Sequence, residues 1–215
     1  MASWAIEELA GAAGELHALD VAQQISRTAV LLRFDRPSIV LGSTQPQVHG
    51  SVPAGVDVVR RRSGGGAVWL PLGGALWVDV LLPRHDPLWT DDISSSGIWL
   101  GEAWAAALAS IGESDATVHR GAMVRHELAA SFCFAGLAPG EVTRGVEGPK
   151  LVGVSQRRTR ASARFQCIAY ATWDAALLAR AVDVALDAVA GVGAGVGDGR
   201  LPALEAAFLA ALGAV

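Results

Sequence analysis

Several segments of this chain put reactive or ligand-binding side chains at spacings that allow chemistry. In Arg60-Arg61-Arg62-Ser63-Gly64-Gly65-Gly66-Ala67-Val68, three successive glycines let the backbone N–H groups come close to a ligand, and the flanking guanidinium groups match phosphate or carboxylate. Such a segment suits a small anionic molecule, or else forms a hairpin turn with solvated arginines. Its spacing fits neither the phosphate-binding loop nor the dinucleotide fingerprint.

The second segment is Gly148-Pro149-Lys150-Leu151-Val152-Gly153-Val154-Ser155-Gln156. Of 17 basic side chains, every one but Lys150 is arginine. An ammonium is compact and can act as acid or base where guanidinium cannot, so a retained lysine is a candidate for a site as well as for a solvated loop. Its place at the entry to a strand, with two residues between it and Gly153, marks a sheet that comes close to a ligand. The third candidate is Cys133, set between Phe132 and Phe134, which reads as an inert packed thiol or, beside a cation, as a nucleophile.

The elements that must position these residues follow from pattern. Ser3–Leu19 has helical spacing, with Trp4, Leu9, Ala12, Ala13 and Leu16 on one side. Strands are expected at 28–34, 38–42, 56–61, 67–70 and 75–82, the first two joined by Asp35-Arg36-Pro37. A helix over 92–111 and a strand over 117–124 precede the turn-rich stretch 136–148. A hairpin of 151–156 with 163–172 then leads to helices at 174–189 and 201–212, linked by the glycine-rich stretch 191–199. Strands in the middle without regular βαβ alternation predict α+β with a mixed, largely antiparallel sheet flanked by helices.

A chain of 215 residues that is 52% hydrophobic and 18% charged has the make-up of one packed domain. Its net charge of -4 argues against binding nucleic acid through a broad basic field. Neither the N-terminus nor the apolar stretch 181–197 reads as a signal or a membrane span, and two cysteines make no disulfide framework. A cytoplasmic protein with no membrane or nucleic-acid partner is expected.

Taken together, Ser38-Ile39-Val40-Leu41-Gly42 with Gln45, Arg60 to Val68, and Lys150-x-x-Gly153-x-x-Gln156 resemble the motifs of the lipoate-protein ligase and octanoyltransferase family, in order and spacing over roughly residues 1–190. The resemblance implies a class II aminoacyl-tRNA synthetase/biotin synthetase-like fold, with residues 1–215 as one catalytic domain. It implies a lipoyl-domain acceptor and a lipoate or octanoyl-acyl carrier protein donor. Arg61, Ser63, Gly64, Gly65, Gly66, Ala67 and Val68 would wall the acyl or adenylate site with Val152 and Gly153, and Lys150 would contact the acyl carbonyl. No metal ligands are expected from the protein.

Two chemistries use such a site. A ligase would take ATP and Mg²⁺ to make an acyl-adenylate, the route expected first, and would work as a catalytic domain alone or with a separate accessory subunit. A transferase would need no cofactor and would carry the octanoyl group on Cys133 as a thioester, with Lys150 activating the thiol. Departures from the family pattern are Trp69-Leu70-Pro71 in place of an aromatic and His-Asp, Phe165-Gln166-Cys167-Ile168 in the hairpin, and Ala75 and Trp77 where polar residues are common. They motivate a third reading, an acyl-binding or partner-binding protein without turnover. A biotin ligase is disfavoured because the glycine segment lacks Gly-Arg-Gly-Arg character.

Overall fold

The computed structural model describes residues 3–19, 26–45, 47, 48 and 50–215. The chain opens with β1 (Ala5–Gly11), α1 (Ala13–Ala18), β2 (Thr28–Phe34), β3 (Ser38–Leu41), β4 (Asp57–Arg60), β5 (Val68–Leu70) and β6 (Ala75–Pro83). It continues with α2 (Ile98–Ser110), β7 (Ala116–Val118), β8 (Val142–Arg144), β9 (Lys150–Arg158), β10 (Ser162–Tyr170), α3 (Ala176–Val182) and α4 (Leu201–Gly213). A 7-stranded sheet has the order β1-β2-β6-β10-β9-β8-β7, and a 3-stranded sheet the order β4-β3-β5. The pairs β1/β2 and β3/β4 are parallel and the rest antiparallel, so the sheet is mixed, as the sequence pattern predicts.

Strict alternation sorts the central strands into two cores, because successive strand side chains point to opposite faces. Ala29, Leu31, Leu76, Val78, Val80, Phe165 and Cys167 face α2 and α4. Those two helices meet through the stacked rings of Trp104 and Phe208, 3.7 Å apart. Val30, Leu32, Trp77, Leu81, Ile168 and Tyr170 face the other way, against α1 and the small sheet, where Val40, Val68 and Leu70 meet them. Asp79, Arg164 and Gln166 occupy that second face too, and all three are buried.

Some expectations fail for physical reasons. Ser3–Leu19 is not one helix: β1 pairs along the whole of β2, from Ala5 with Thr28 to Gly11 with Phe34, and only α1 is helical. This edge strand leaves most side chains exposed on both faces, so it carries no alternation to compete with the accidental helical spacing. The two strands on either side of Asp35-Arg36-Pro37 form as expected, but β2 and β3 lie in different sheets. The helix expected over 174–189 stops at Val182, where Asp183 adopts a left-handed conformation (φ 57°) and the Ala181 carbonyl accepts from the Gly50 N–H. The strand expected over 117–124 ends at Val118, after which Val124 only bridges to Leu137. Residues 92–97 are turns that precede α2, and the turn-rich stretch 136–148 holds β8.

Candidate active site

Three backbone segments converge on Cys133. The turn after β3 comes so close to the glycine loop that a Cβ on Gly42 would lie 1.8 Å from the Gly65 carbonyl oxygen. Gly65 itself has a positive φ of 95°, which an L side chain rarely adopts. Gln45 accepts from the Gly42 N–H and donates to the Ser131 carbonyl. Ser131 also accepts from the Ala67 N–H, and the Cys133 N–H donates to the Ala67 carbonyl at 3.0 Å. The Gly-x-x-Gln turn thus clamps the glycine loop to the cysteine segment.

The arginines of the loop divide by role. Arg60 donates to the carbonyls of Gly42 and Gln45. Arg61 is buried, and its guanidinium donates to the Gly64 and Gly66 carbonyls at 2.8 and 2.9 Å, to the Val40 carbonyl and to the Ser63 hydroxyl. Its Nη2 also lies 3.9 Å from Cys133 Sγ. Arg62 faces solvent.

Lys150 enters from the far side at the start of β9. Its Nζ lies 2.7 Å from Glu141 Oε2, donates to the Cys133 carbonyl at 3.0 Å, and sits 5.3 Å from the centre of the Phe134 ring. Both members of the pair are buried. Glu141 in turn accepts from the Ala138 N–H at 2.7 Å and the Val154 N–H at 3.1 Å. Each carboxylate oxygen thus has a partner, the condition under which burying an ion pair is tolerable. Sequence reasoning missed Glu141; the signal was that a lone buried lysine needs a carboxylate nearby in the fold.

A polar chain runs behind the loop, between the sheets. The Arg61 Nε–H occupies one lone pair of Ser63 Oγ. The Ser63 hydroxyl donates to Gln166 Oε1 at 2.7 Å, so the Ser155 hydroxyl, 2.9 Å away, must donate to Ser63. Gln166 Nε2 faces His17 Nδ1 at 3.3 Å and Asp79 Oδ1 at 3.4 Å, which makes Nδ1 the acceptor and His17 neutral. Burial first, and then the nearby Arg164 and Arg61 charges, pull the His17 pKa down to about 3. Burial pushes the Asp79 carboxyl up, opposed by Arg164, whose Nε donates to it at 2.6 Å, and by Trp77 and Gln166. Nothing in the sequence pattern marked His17 or Asp79.

Beside these groups lies a cavity of about 700 Å³. Gly64, Gly65, Gly66 and Cys133 line one part, residues 93–98 and 120–124 form two lips, and Leu137, Val154 and Phe165 supply apolar wall. Among the described residues its lining holds one charged side chain, Arg120, which is paired with Glu102 at 2.7 Å. Of the residues expected at the site, Arg61, Ser63, Ala67, Val68, Lys150, Val152 and Gly153 stand behind this lining. Val68 and Val152 pack into the two cores, and a Cβ on Gly153 would meet the Phe134 ring at 3.0 Å.

The architecture is that of lipoate protein ligases. The bi-partite lipoate protein ligase of Thermoplasma acidophilum, described with its E2 lipoyl domain, superposes with a TM-score of 0.72 at 19% identity, covering 99% of this chain and 83% of that one. Lipoate-protein ligase A bound with ATP gives 0.72 at 19% identity, covering 98% and 83%. LipL1 of P. falciparum in complex with lipoate gives 0.59 at 14% identity, covering 98% and 59%. A search of curated proteins finds no match. The family model of the lipoyl protein ligase A/B catalytic domain matches residues 5–199, and the chain belongs to that family of enzymes.

Two outcomes follow from the buried groups. Lys150→Met should lower unfolding free energy by about 3–5 kcal/mol by stranding the Glu141 charge, and Lys150→Met with Glu141→Gln, which removes that charge and keeps a side-chain acceptor for the main chain, should recover part of it; urea unfolding of the variants measures both. For His17 the folded pKa is about 3 against 6.5, so the unfolded state binds the proton first, and stability should fall as pH drops from 6.5 toward 3. The slope of unfolding free energy against pH should be shallower in that window for His17→Leu.

Proposed function

We propose that this enzyme transfers an eight-carbon acyl group, octanoyl or its lipoyl counterpart, to a lysine of a lipoyl domain, with Cys133 carrying the group as a thioester. The observation that carries this reading is the setting of Cys133. It lines an apolar cavity, its backbone is fixed from both sides by Ala67 and Lys150, and the Arg61 guanidinium lies 3.9 Å from its sulfur.

The chemistry follows from these positions. The cavity holds the acyl chain away from water, while the sulfur attacks the thioester carbonyl of the donor. The new S–C bond forms as the donor C–S bond breaks, and the Cys133 proton leaves with the donor thiol. A main-chain N–H of the Gly64–Gly66 loop, which lines the cavity beside Cys133, would be the donor to the oxyanion. The acceptor amine then attacks the acyl-enzyme, forming the amide and returning a proton to the sulfur. Lys150 acts as a positioning residue, since its ammonium is spent on Glu141 and on the Cys133 carbonyl.

A second reading, activation of lipoate with ATP and Mg²⁺, is supported by the likeness to a ligase described as bound with ATP. Against it, the described lining is largely apolar and its charged side chain, Arg120, is ion-paired, while the unpaired arginines Arg62, Arg125 and Arg157 stand outside it on the rim. Transfer to a lipoyl domain is to be measured with an octanoyl thioester and, separately, with octanoate plus ATP. The thioester should suffice, and Cys133→Ala should slow that reaction by roughly a thousandfold or more. Turnover only with ATP and unaffected by Cys133→Ala would establish the ligase route instead. No acylated domain from either donor would leave a binding protein without turnover.

A further inference from the structure

Three large apolar side chains stand open to solvent around the mouth of the cavity: Ile93 (67% exposed) on one lip, Met123 (61%) and Val124 (52%) on the other. Single exposed apolar residues need no explanation, but a group of them at one mouth marks an interaction surface. Exposed arginines flank the same mouth. Arg62 immediately precedes Ser63 and Gly64, Arg157 immediately follows Gln156 and reaches the Arg62 carbonyl, and Arg125 follows Val124. Among the described residues none of the three has an ion pair, whereas Arg120 is held by Glu102 and Arg84 by Asp91. Near the lips Asp91 is paired with Arg84 and also accepts from Trp89, while Asp92 accepts from Ser94 and Ser95 and keeps its negative charge. Glu127, beside Arg125 at the start of a 3-10 turn, is the acidic group left on that side. Set against Asp92 and Glu127, the three unpaired arginines leave this rim a small local excess of positive charge around an apolar opening, on a chain of net charge -4.

We infer that this rim is the docking surface for the acyl acceptor, a folded domain that presents its target lysine among carboxylates and next to an apolar patch. The inference rests on the acceptor named in the proposed function, and it holds whichever way the acyl group is activated. Reach favours the acceptor as occupant. A lysine side chain has a four-carbon stem, so the acceptor must sit directly on the mouth to bring its amine to the acyl group. A donor on a long flexible arm has no such need. Unpaired arginines set around an apolar centre also fit the anatomy of protein interfaces, where complementary charge governs encounter more than final affinity.

The test is the kinetics of transfer to a lipoyl domain by wild type and by Arg62→Glu with Arg157→Glu, run across ionic strength. Acylation of Cys133 by a small octanoyl thioester and thermal unfolding serve as parallel readouts. The double variant should lose about tenfold or more in kcat/KM for the domain, mainly through KM, and its salt dependence should flatten. Its acylation by the small thioester and its Tm should match wild type. Replacing a carboxylate near the target lysine of the domain with lysine should restore part of the loss. Wild-type transfer kinetics in the double variant would overturn the inference. So would an equal loss with the small thioester, or a loss confined to acylation by a carrier protein. If wild-type Cys133 takes no acyl group, the thioester reading fails by itself, and the same comparison run with octanoate and ATP still decides the docking surface.

Discussion

The buried ion pair of Lys150 with Glu141 is the contact on which the geometry of the site depends. From one place it holds the Cys133 carbonyl, the Ala138 N–H and the Val154 N–H, so three separate stretches of cavity wall are referred to a single charge pair. Such a pair is an expensive way to gain stability, because both charges leave water and their attraction offsets that cost only when the remaining donors and acceptors are satisfied. Here they are satisfied by the main chain of the site itself. What the pair supplies is a fixed arrangement of loops that have little regular structure of their own. It also accounts for the one lysine in an arginine-rich chain: a compact ammonium suits a carboxylate and a carbonyl under an aromatic ring, where a planar fork would demand more room.

The glycine loop is held from its inner side in the same manner. Arg61 turns its donors on the loop carbonyls, and the Ser155–Ser63–Gln166 chain ties the loop to the central strands β9 and β10. These polar groups lie on the sheet face where alternation otherwise places Val30, Leu81 and Ile168, so the sandwich carries a hydrogen-bonded centre inside an apolar surround. A half-satisfied network there would cost more than an apolar core, which sets a limit on how far the loop can move. The cavity side is, by contrast, largely apolar. The groups that fix the loop are thus separated from the apolar surface proposed to meet an acyl chain.

How much of this was legible in the sequence depended on the kind of signal. The β-branched and alternating runs of β2, β6 and β10 were readable because each buries two faces, and α4 because its apolar face is complete. The motifs at Gly42 to Gln45, Arg60 to Val68 and Lys150 to Gln156 marked segments that the fold brings together around Cys133, since they need small residues where backbones meet. Their individual roles were harder to read. Val68 and Val152 are apolar residues next to site residues, and alternation turns them into the cores and away from the cavity. Glu141, His17 and Asp79 owe their importance to partners far away in sequence, and no local pattern carries that information. The cavity lips at 93–98 and 120–124 lack periodicity, and tertiary contacts such as the Val124–Leu137 bridge shape them.

The most direct measurement is intact-mass analysis of the purified protein after exposure to octanoyl-acyl carrier protein in the absence of ATP, with peptide mapping of any adduct. The expected result is a single octanoyl group on Cys133 that disappears when a lipoyl domain is added. A protein that stays unmodified, yet acylates the lipoyl domain once ATP and octanoate are supplied, would contradict it.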